Sequence, residues 1–361
     1  MTNTIQISFI IPVYNAERFV EATVNSILTA PNPENISYEI ICVNDCSTDN
    51  SATILNQIAA RNKNVIIVNR EQNGHLAAAR NSGLKVANGQ WICMIDADDL
   101  INQGLFKVFN NVLDTQYDII YFDYDQFVHT PKRDQKYNEF LPVHEYGPQE
   151  IHIQQRELLT RRKMQGKTYG YRTLGLAWGK IYRSAFLKAN NLFFIEEMRC
   201  EEDLAFNLMC LSRCKKTKKI DWILIHYRLI TNSLSHIFTD KYTGHYAAIV
   251  PVYKSIVENY YTADFEMKKL YPYRILWVLL FSVLRGPASH ANNNPWALRK
   301  KAFLELVNRP EYVDVFESIN IPELDFSNSL LAWCVKKRFF FGCCLLERIL
   351  QLKNKIANIR N

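Results

Sequence analysis

Asp96, Asp98 and Asp99 place three carboxylates within four positions, directly after the apolar run Trp91-Ile92-Cys93-Met94-Ile95. The run is short and is preceded by Gly89, which reads as a buried strand rather than a helix. In an open α/β sheet, ligands sit in the crevice beyond the carboxyl ends of the strands, and this spacing puts the three acids at such an end. Carboxylates this close repel one another, so a cation or many hydrogen bonds must offset them. A few oxygen-only ligands suit Mg²⁺ or Mn²⁺ shared with a substrate's phosphates. The same residues are equally readable as an Asp-rich turn capping a helix that begins at Leu100.

The elements that must position these acids follow from hydrophobic periodicity. Residues 5–13 form a strand whose ladder pairing Pro12 is expected to end, and residues 17–28 have helical spacing up to the breakers Pro31 and Pro33. Residues 38–43 form a second strand that empties into Asn44-Asp45-Cys46-Ser47-Thr48-Asp49. A helix over 51–61, a strand over 65–68, a turn at Asn73-Gly74 and an Ala-rich helix over 76–86 precede the Trp91 strand. Such alternation predicts a parallel sheet with helices on both faces. The polar residues at its strand ends then converge on one edge: Pro12-Val13-Tyr14-Asn15, Asn44-Asp45, Asn69-Arg70 and Asp96-Ala97-Asp98.

Composition limits the class. The chain has 361 residues, 48% of them hydrophobic, with 20 Phe and 19 Tyr, which describes a folded protein long enough for two domains. A formal charge of +7, with basic clusters at 215–219 and 336–338, suits an acidic membrane surface, a phosphorylated substrate or a solvated face; no nucleic-acid partner is expected. Nine cysteines without a repeated CxxC suggest reduced thiols and a cytoplasmic setting. The N-terminus lacks the basic region of a signal peptide. The longest apolar candidate, 275–284, is too short to span a membrane.

Four motifs occur in order: Pro-Val-Tyr-Asn at 12–15, Val-Asn-Asp-Cys-Ser-Thr-Asp-Asn-Ser at 43–51, Asn-Gly-x4-Ala-Arg-Asn-x-Gly at 73–83 and Asp-Ala-Asp-Asp at 96–99. With these the chain closely resembles the family 2 glycosyltransferases of the GT-A fold, of the bacterial cell-surface polysaccharide kind. The resemblance is strong over about 5–125 and extends more weakly to about 240. It implies an α/β GT-A domain over 1–240, a C-terminal helical region over 241–361, and a donor site lined by Pro12, Tyr14, Asn15, Asp45, Asn73, Arg80, Asp96 and Ala97. It further implies that Asp98 ligates Mn²⁺ or Mg²⁺ bridging a diphosphate, with Asp99 as a possible helix cap. Each residue also has a bland reading: an Asx turn for Asp45, a turn or cap for Asp49, and for Arg80 an ion pair with an acid of the 96–99 cluster. Gly74 would allow a backbone conformation that brings amides to a ligand.

Further along, 117–124 reads as a strand, 130–165 as an irregular connection with a helix over 149–161, and 220–227 as a last strand. Trp178 could face a sugar ring or pack in the core. Glu201-Glu202-Asp203 opens an apolar-faced helix, where acids suit the positive end of the dipole. The resemblance implies that Asp203 is the general base, with Glu202 as the fallback. Arg228 or the 233–236 loop would lie over the diphosphate, and His236 is a candidate further metal ligand. Beyond 241 the pattern is helical, interrupted or ended by Pro251, Pro272, Pro287, Pro295 and Pro310. The tail over 327–359 is either a basic amphipathic segment for an anionic bilayer or a bundle helix with a basic outer face.

The expected activity is inverting transfer of a sugar from a nucleotide-sugar, with a UDP-sugar as the expected donor, to a hydroxyl of a glycan or lipid-linked glycan in surface polysaccharide biosynthesis. A sugar nucleotidyltransferase is the enzymatic alternative, although residues 12–15 are not its Gly-rich basic loop. A non-catalytic nucleotide-sugar-binding protein is the other.

Overall fold

The computed structural model describes residues 4–131, 142–160, 171–230, 242–319 and 326–360. These form two compact units, one of 4–131, 142–158 and 171–230, the other of 159–160, 242–319 and 326–360.

The first unit is built on a mixed, mainly parallel sheet. Strand β1 (Ile7–Val13) pairs in parallel with β2 (Tyr38–Asn44) on one side and β4 (Trp91–Met94) on the other, and β3 (Val65–Asn69) continues beyond β2. The remaining strands are β5 (Leu100–Ile101), β6 (Ile119–Phe127), β7 (Val143–Tyr146), β8 (Lys180–Arg183) and β9 (Thr217–Arg228). Their order is β3-β2-β1-β4-β8-β6-β9-β5, with β7 also pairing with β9. Every residue of β1 and β4 is buried, which is why both read as continuous apolar runs rather than alternating ones.

Helices cover both faces. Helices α1 (Val20–Leu28), α2 (Ser51–Arg61) and, further along, α4 (Leu105–Val112) share one core with Ile7, Phe9, Ile11, Ile40 and Cys42. Helix α3 (His75–Val86) lies on the opposite face, where a Cβ added to Gly83 would stand 2.4 Å from Ile10 Cγ2. The glycine therefore lets α3 approach β1, and any larger residue forces the pair apart. Helices α5 (Pro148–Thr160), α6 (Tyr171–Leu174), α7 (Ser184–Ala189) and α8 (Glu202–Arg213) follow.

Several expectations change. Pro12 does not end the ladder: β1 runs on through Pro12↔Val43 to Val13↔Asn44. Its missing N–H points to the β4 side, where pairing has already stopped at Ile10↔Met94, so nothing is lost there. No helix starts at Leu100. Residues 100–101 pair with β9, and α4 begins at Leu105 after Gly104, so Asp99 caps no helix. The connection over 130–165 contains strand β7. The sheet is not purely parallel, because β8 enters antiparallel between β4 and β6.

The second unit is helical: α9 (Tyr242–Tyr260), α10 (Phe265–Arg285), α11 (Trp296–Val307), α12 (Pro310–Val313), α13 (Val315–Ser318), α14 (Phe326–Lys336) and α15 (Phe340–Arg360). Its centre is α10, whose Ile275, Leu276, Val278, Leu279, Leu280 and Val283 are all buried. This is the longest apolar run of the sequence, serving as a core helix; among the described residues no helix is long and apolar enough to cross a membrane. Pro251 and Pro272 lie inside α9 and α10 rather than ending them. Burial of the surrounding apolar side chains, at about 1.5–3 kcal/mol each, outweighs a penalty of roughly 3 kcal/mol for an interior proline.

Candidate active site

The carboxyl ends of β1, β2, β3 and β4 carry the expected polar residues, and hydrogen bonds tie their loops together. After β1, Asn15 takes a left-handed conformation (φ 49°), and its Oδ1 accepts the Thr48 amide at 2.8 Å. That conformation is tolerated by Asn and aims its amide across to the next loop. Asp49 accepts the amides of Glu17 and Ser51 at 3.0 and 2.9 Å, and these bonds hold its carboxyl below the usual range despite some burial. Asp49 is thus the turn residue that starts α2. Tyr14 is 51% exposed at the mouth of the same edge.

Asp45 is buried beyond β2. Its Oδ1 accepts Arg70 Nε at 2.8 Å and the Gly74 amide at 3.0 Å, while its carbonyl accepts Asn73 Nδ2 at 3.2 Å. Arg70 also donates to Ala78 O and to Ser82 Oγ on α3. Sequence reading placed Arg70 at a strand end but gave it no role; the structure makes it the fastener of Asp45. Gly74 has an ordinary backbone, since its φ is −109°. What it supplies is room, because a Cβ there would stand 2.3 Å from Arg70 Nη2.

Arg80 joins the other half of the site. Its guanidinium is buried on α3, donates Nη2 to Asp96 Oδ1 at 3.0 Å and donates Nη1 to Asp203 Oδ1. Glu202 Oε1 lies 3.5 Å from the same Nη1, and the Phe194 ring lies against its plane. Burial disfavours its charge, but the acids around it, led by Asp203, hold its pKa above the ordinary value. The ion pair expected between Arg80 and an acid of the 96–99 cluster is therefore present. The same guanidinium also carries that cluster to Asp203, 123 positions away.

Asp203 stands in the first turn of α8, which opens at Glu201 in a left-handed conformation (φ 58°). Such strain persists only where the surroundings over-determine it. Asp203 Oδ2 accepts the Ala177 amide at 2.9 Å. Glu202 beside it is pushed up to about 7, by burial and by the charge of Asp203, against the pull of Arg80. Trp178 packs in the core, stacked on Tyr227 at 5.4 Å and edge-on to Tyr124 at 4.9 Å.

The acids after β4 divide by environment. Asp96 is committed to Arg80, and burial raises its carboxyl nonetheless. Asp98 is pushed up to about 6 by burial and by Asp96, with Arg228 opposing. Asp99 is fully buried; one oxygen accepts the Arg228 amide at 2.8 Å and, among the described residues, Oδ2 has no partner. Arg228 donates Nε to Asp98 O at 2.8 Å, its guanidinium lying against Phe19 and Phe127. Ala97 O accepts Thr23 Oγ1 at 2.8 Å, pinning the loop to α1. Among the described residues no three acids, histidines or cysteines converge as a preformed metal cage. Carboxylates raised by burial and by neighbouring charge, with a buried oxygen left open, do fit a hard cation that takes one or two protein ligands and completes its shell from phosphates. His236 and the 233–236 loop lie outside the described residues.

A mainly parallel sheet with acids and arginines gathered at its carboxyl edge, followed by a helical region, defines a GT-A glycosyltransferase fold. Residues 8–181, just under half of the chain, match the family model of Glycosyl transferase family 2. It is 29% identical over 235 residues to the uncharacterized glycosyltransferase EpsJ of Bacillus subtilis, a match covering 64% of this chain and 63% of that protein. It is 40% identical over 116 residues to a poly(ribitol-phosphate) beta-glucosyltransferase of Bacillus spizizenii, covering 32% of this chain and 18% of that one. The structure of S. aureus TarS 1-349 in complex with UDP-GlcNAc is similar in fold, with a TM-score of 0.63 and 20% identity over 96% of this chain and 92% of that one.

Proposed function

We propose that the protein is an inverting glycosyltransferase that moves a hexosyl group from a UDP-sugar to a hydroxyl of a glycan or lipid-linked glycan, in the synthesis of a surface polysaccharide on the cytoplasmic side of the membrane. The observation that carries this reading is the single buried guanidinium of Arg80 gripping Asp96 at 3.0 Å and Asp203 as well. It joins the strand-end acids of a nucleotide-binding edge to a carboxylate on a separate helix, which a binding module has no need of. The relatives support the substrate class: one acts on poly(ribitol-phosphate) and another protein of this fold binds UDP-GlcNAc.

In this reading Asp45, Asn73, Tyr14, Asn15 and the main chain at Pro12 and Ala97 shape the nucleoside pocket, and Asp96 faces the ribose or the sugar. Asp98 and the open oxygen of Asp99 would hold a Mn²⁺ or Mg²⁺ ion, and Arg228 would supply a fixed cation to the diphosphate. A bound divalent cation supplies charge stabilisation to the departing nucleoside diphosphate without a proton. Asp203 takes the proton from the acceptor hydroxyl. A carboxylate has about four lone-pair sites, and the bonds from Arg80 and the Ala177 amide orient it while leaving room for a hydroxyl. Glu202 is the second candidate, favoured by a pKa near 7, where a general base works best.

The test is titration of UDP into wild type and Asp98→Asn, with and without Mn²⁺, followed by a panel of nucleotide-sugars read by nucleoside diphosphate release. Metal-dependent UDP binding that the variant loses, together with release from a UDP-sugar, is expected. Binding without release from any donor points to a non-catalytic module, and pyrophosphate release from a nucleoside triphosphate and a sugar phosphate to a nucleotidyltransferase.

A further inference from the structure

Helix α15 has two apolar faces. One, with Phe340 and Cys343, is buried in the helical unit. The other, nearly opposite at 100° per residue, carries Phe341, Leu345, Ile349 and Leu352, which are 39% to 59% exposed. The stripe does not stop at the helix end. Phe341 lies 6.3 Å from Phe339, and Phe339 lies 6.5 Å from Trp333 on α14, both rings nearly half exposed. A soluble helix hides its apolar stripe and shows its polar one, and a contiguous bare patch of this kind marks a surface that something covers.

The charges around the patch say what covers it. Lys336, Lys337, Arg338, Arg348 and Lys353 are exposed on or beside it. The one acid within 327–353 is Glu347, which is buried and bonded to His290 at 2.7 Å. Two copies meeting face to face through this patch would bring like charges together, which costs free energy at a symmetric contact. An anionic surface gains from the same charges, and aromatic rings with flanking lysines suit the boundary between headgroups and acyl chains.

We propose that the α14–α15 face docks on an anionic lipid bilayer, with Trp333, Phe339, Phe341, Leu345 and Leu352 entering the headgroup boundary and the basic residues resting on it. The inference deepens the proposed function, since it rests on an acceptor carried by lipid, but it is read by vesicle binding and not by sugar transfer. Docking by a helical face without a spanning segment explains how a chain whose described helices include no membrane span reaches such an acceptor.

The experiment is co-sedimentation of the full chain with phosphatidylcholine vesicles, with and without phosphatidylserine, at low and high salt. Phe341→Ser/Leu345→Ser/Leu352→Ser removes the apolar stripe, and Lys336→Glu/Lys337→Glu reverses part of the rim; far-UV circular dichroism and UDP binding monitor the fold. Binding selective for phosphatidylserine, reduced by salt and weakened tenfold or more in each variant with UDP binding unchanged, is the expected result. No binding by wild type, or equal binding by wild type and both variants, overturns the proposal. A wild-type dimer in light scattering that the serine variant converts to monomer overturns it too, assigning the face to a second copy. Should the serine variant misfold, the charge-reversal variant, which alters only exposed side chains, decides alone. Because UDP binding is measured separately, a failure here leaves the enzymatic reading intact, and a failure there leaves this one.

Discussion

In the proposed function, Arg80 and the acids that it holds set the chemistry at the scale of single residues. Its partners Asp96 and Asp203 differ in what they lose on substitution. Asp203→Asn keeps the shape and the Ala177 contact but cannot take a proton. Turnover should fall by roughly 10²–10⁴, the usual worth of a general base, while UDP affinity changes little because the lost interaction belongs to the transition state. The pH profile separates the two candidates. A general base works deprotonated, so a base with its pKa near 7 gives a rate that falls as pH drops below 7. If Glu202 were the base, wild-type kcat/KM would show that acid limb and Glu202→Gln would abolish it along with the rate. If Asp203 is the base, Glu202→Gln retains most of the turnover and Asp203→Asn does not.

At the scale of elements, what aims Asp203 is the latch between β8 and α8. Lys180 on β8 is wholly buried and donates Nζ to Leu174 O at 2.8 Å and to Asn207 Oδ1 at 2.9 Å, under the Tyr121 ring. Asn207 on α8 in turn donates to Leu176 O and Asp203 O. Strand, loop and helix are thereby held in one register around Asp203. Burial pulls the Lys180 ammonium down to about 7, with Asp203 opposing. The folded pKa lies below the unfolded one, near 10.4. Between these values the unfolded chain binds a proton that the native state declines. Stability should therefore rise with pH from about 7 to about 10 and be flat below. Urea unfolding of wild type and Lys180→Met at pH 7 and 9.5 checks this. The wild type should gain on the variant at the higher pH, whatever the offset of about 1–3 kcal/mol from the bonds to Leu174 O and Asn207 that the variant loses. Parallel behaviour would mean that Lys180 stays charged in the fold.

The whole molecule depends on apolar burial rather than on cross-links. None of its nine cysteines forms a disulfide; Cys42, Cys93, Cys210, Cys334 and Cys343 are buried, while Cys46 is exposed in the loop after β2. Burial raises the Cys42 thiol to about 12, so the core thiols are unreactive in the native state. The thermal midpoint should be the same with and without reductant. A thiol reagent should label Cys46 quickly and reach all nine only in denaturant. A midpoint lowered by reductant, or fast labelling of five or more thiols under native conditions, would contradict this account.

Residue order alone determined the strands β1 to β4, the helices between them and the edge on which Asp45, Asn73, Asp96 and Asp98 meet. Parallel strands covered on both faces leave unbroken apolar runs, and turn residues punctuate them, so these features are written in local periodicity. The strand β8, the pairing of residues 100–101 and the bond from Arg70 to Asp45 were not legible in that way. A four-residue strand carries no period of its own, and Leu100–Ile101 is a strand only because β9 lies beside it. Arg80 was legible as a cation near the acids, but its grip on Asp203 was not, because the two are 123 residues apart. That contact exists because β8 folds back beside β4 and brings α8 over the same edge. The second face of α15 follows the same logic. Its apolar positions were visible in the tail, but a sequence shows only that a side chain is apolar, and packing against α10 and α14 decides which of them is left in water.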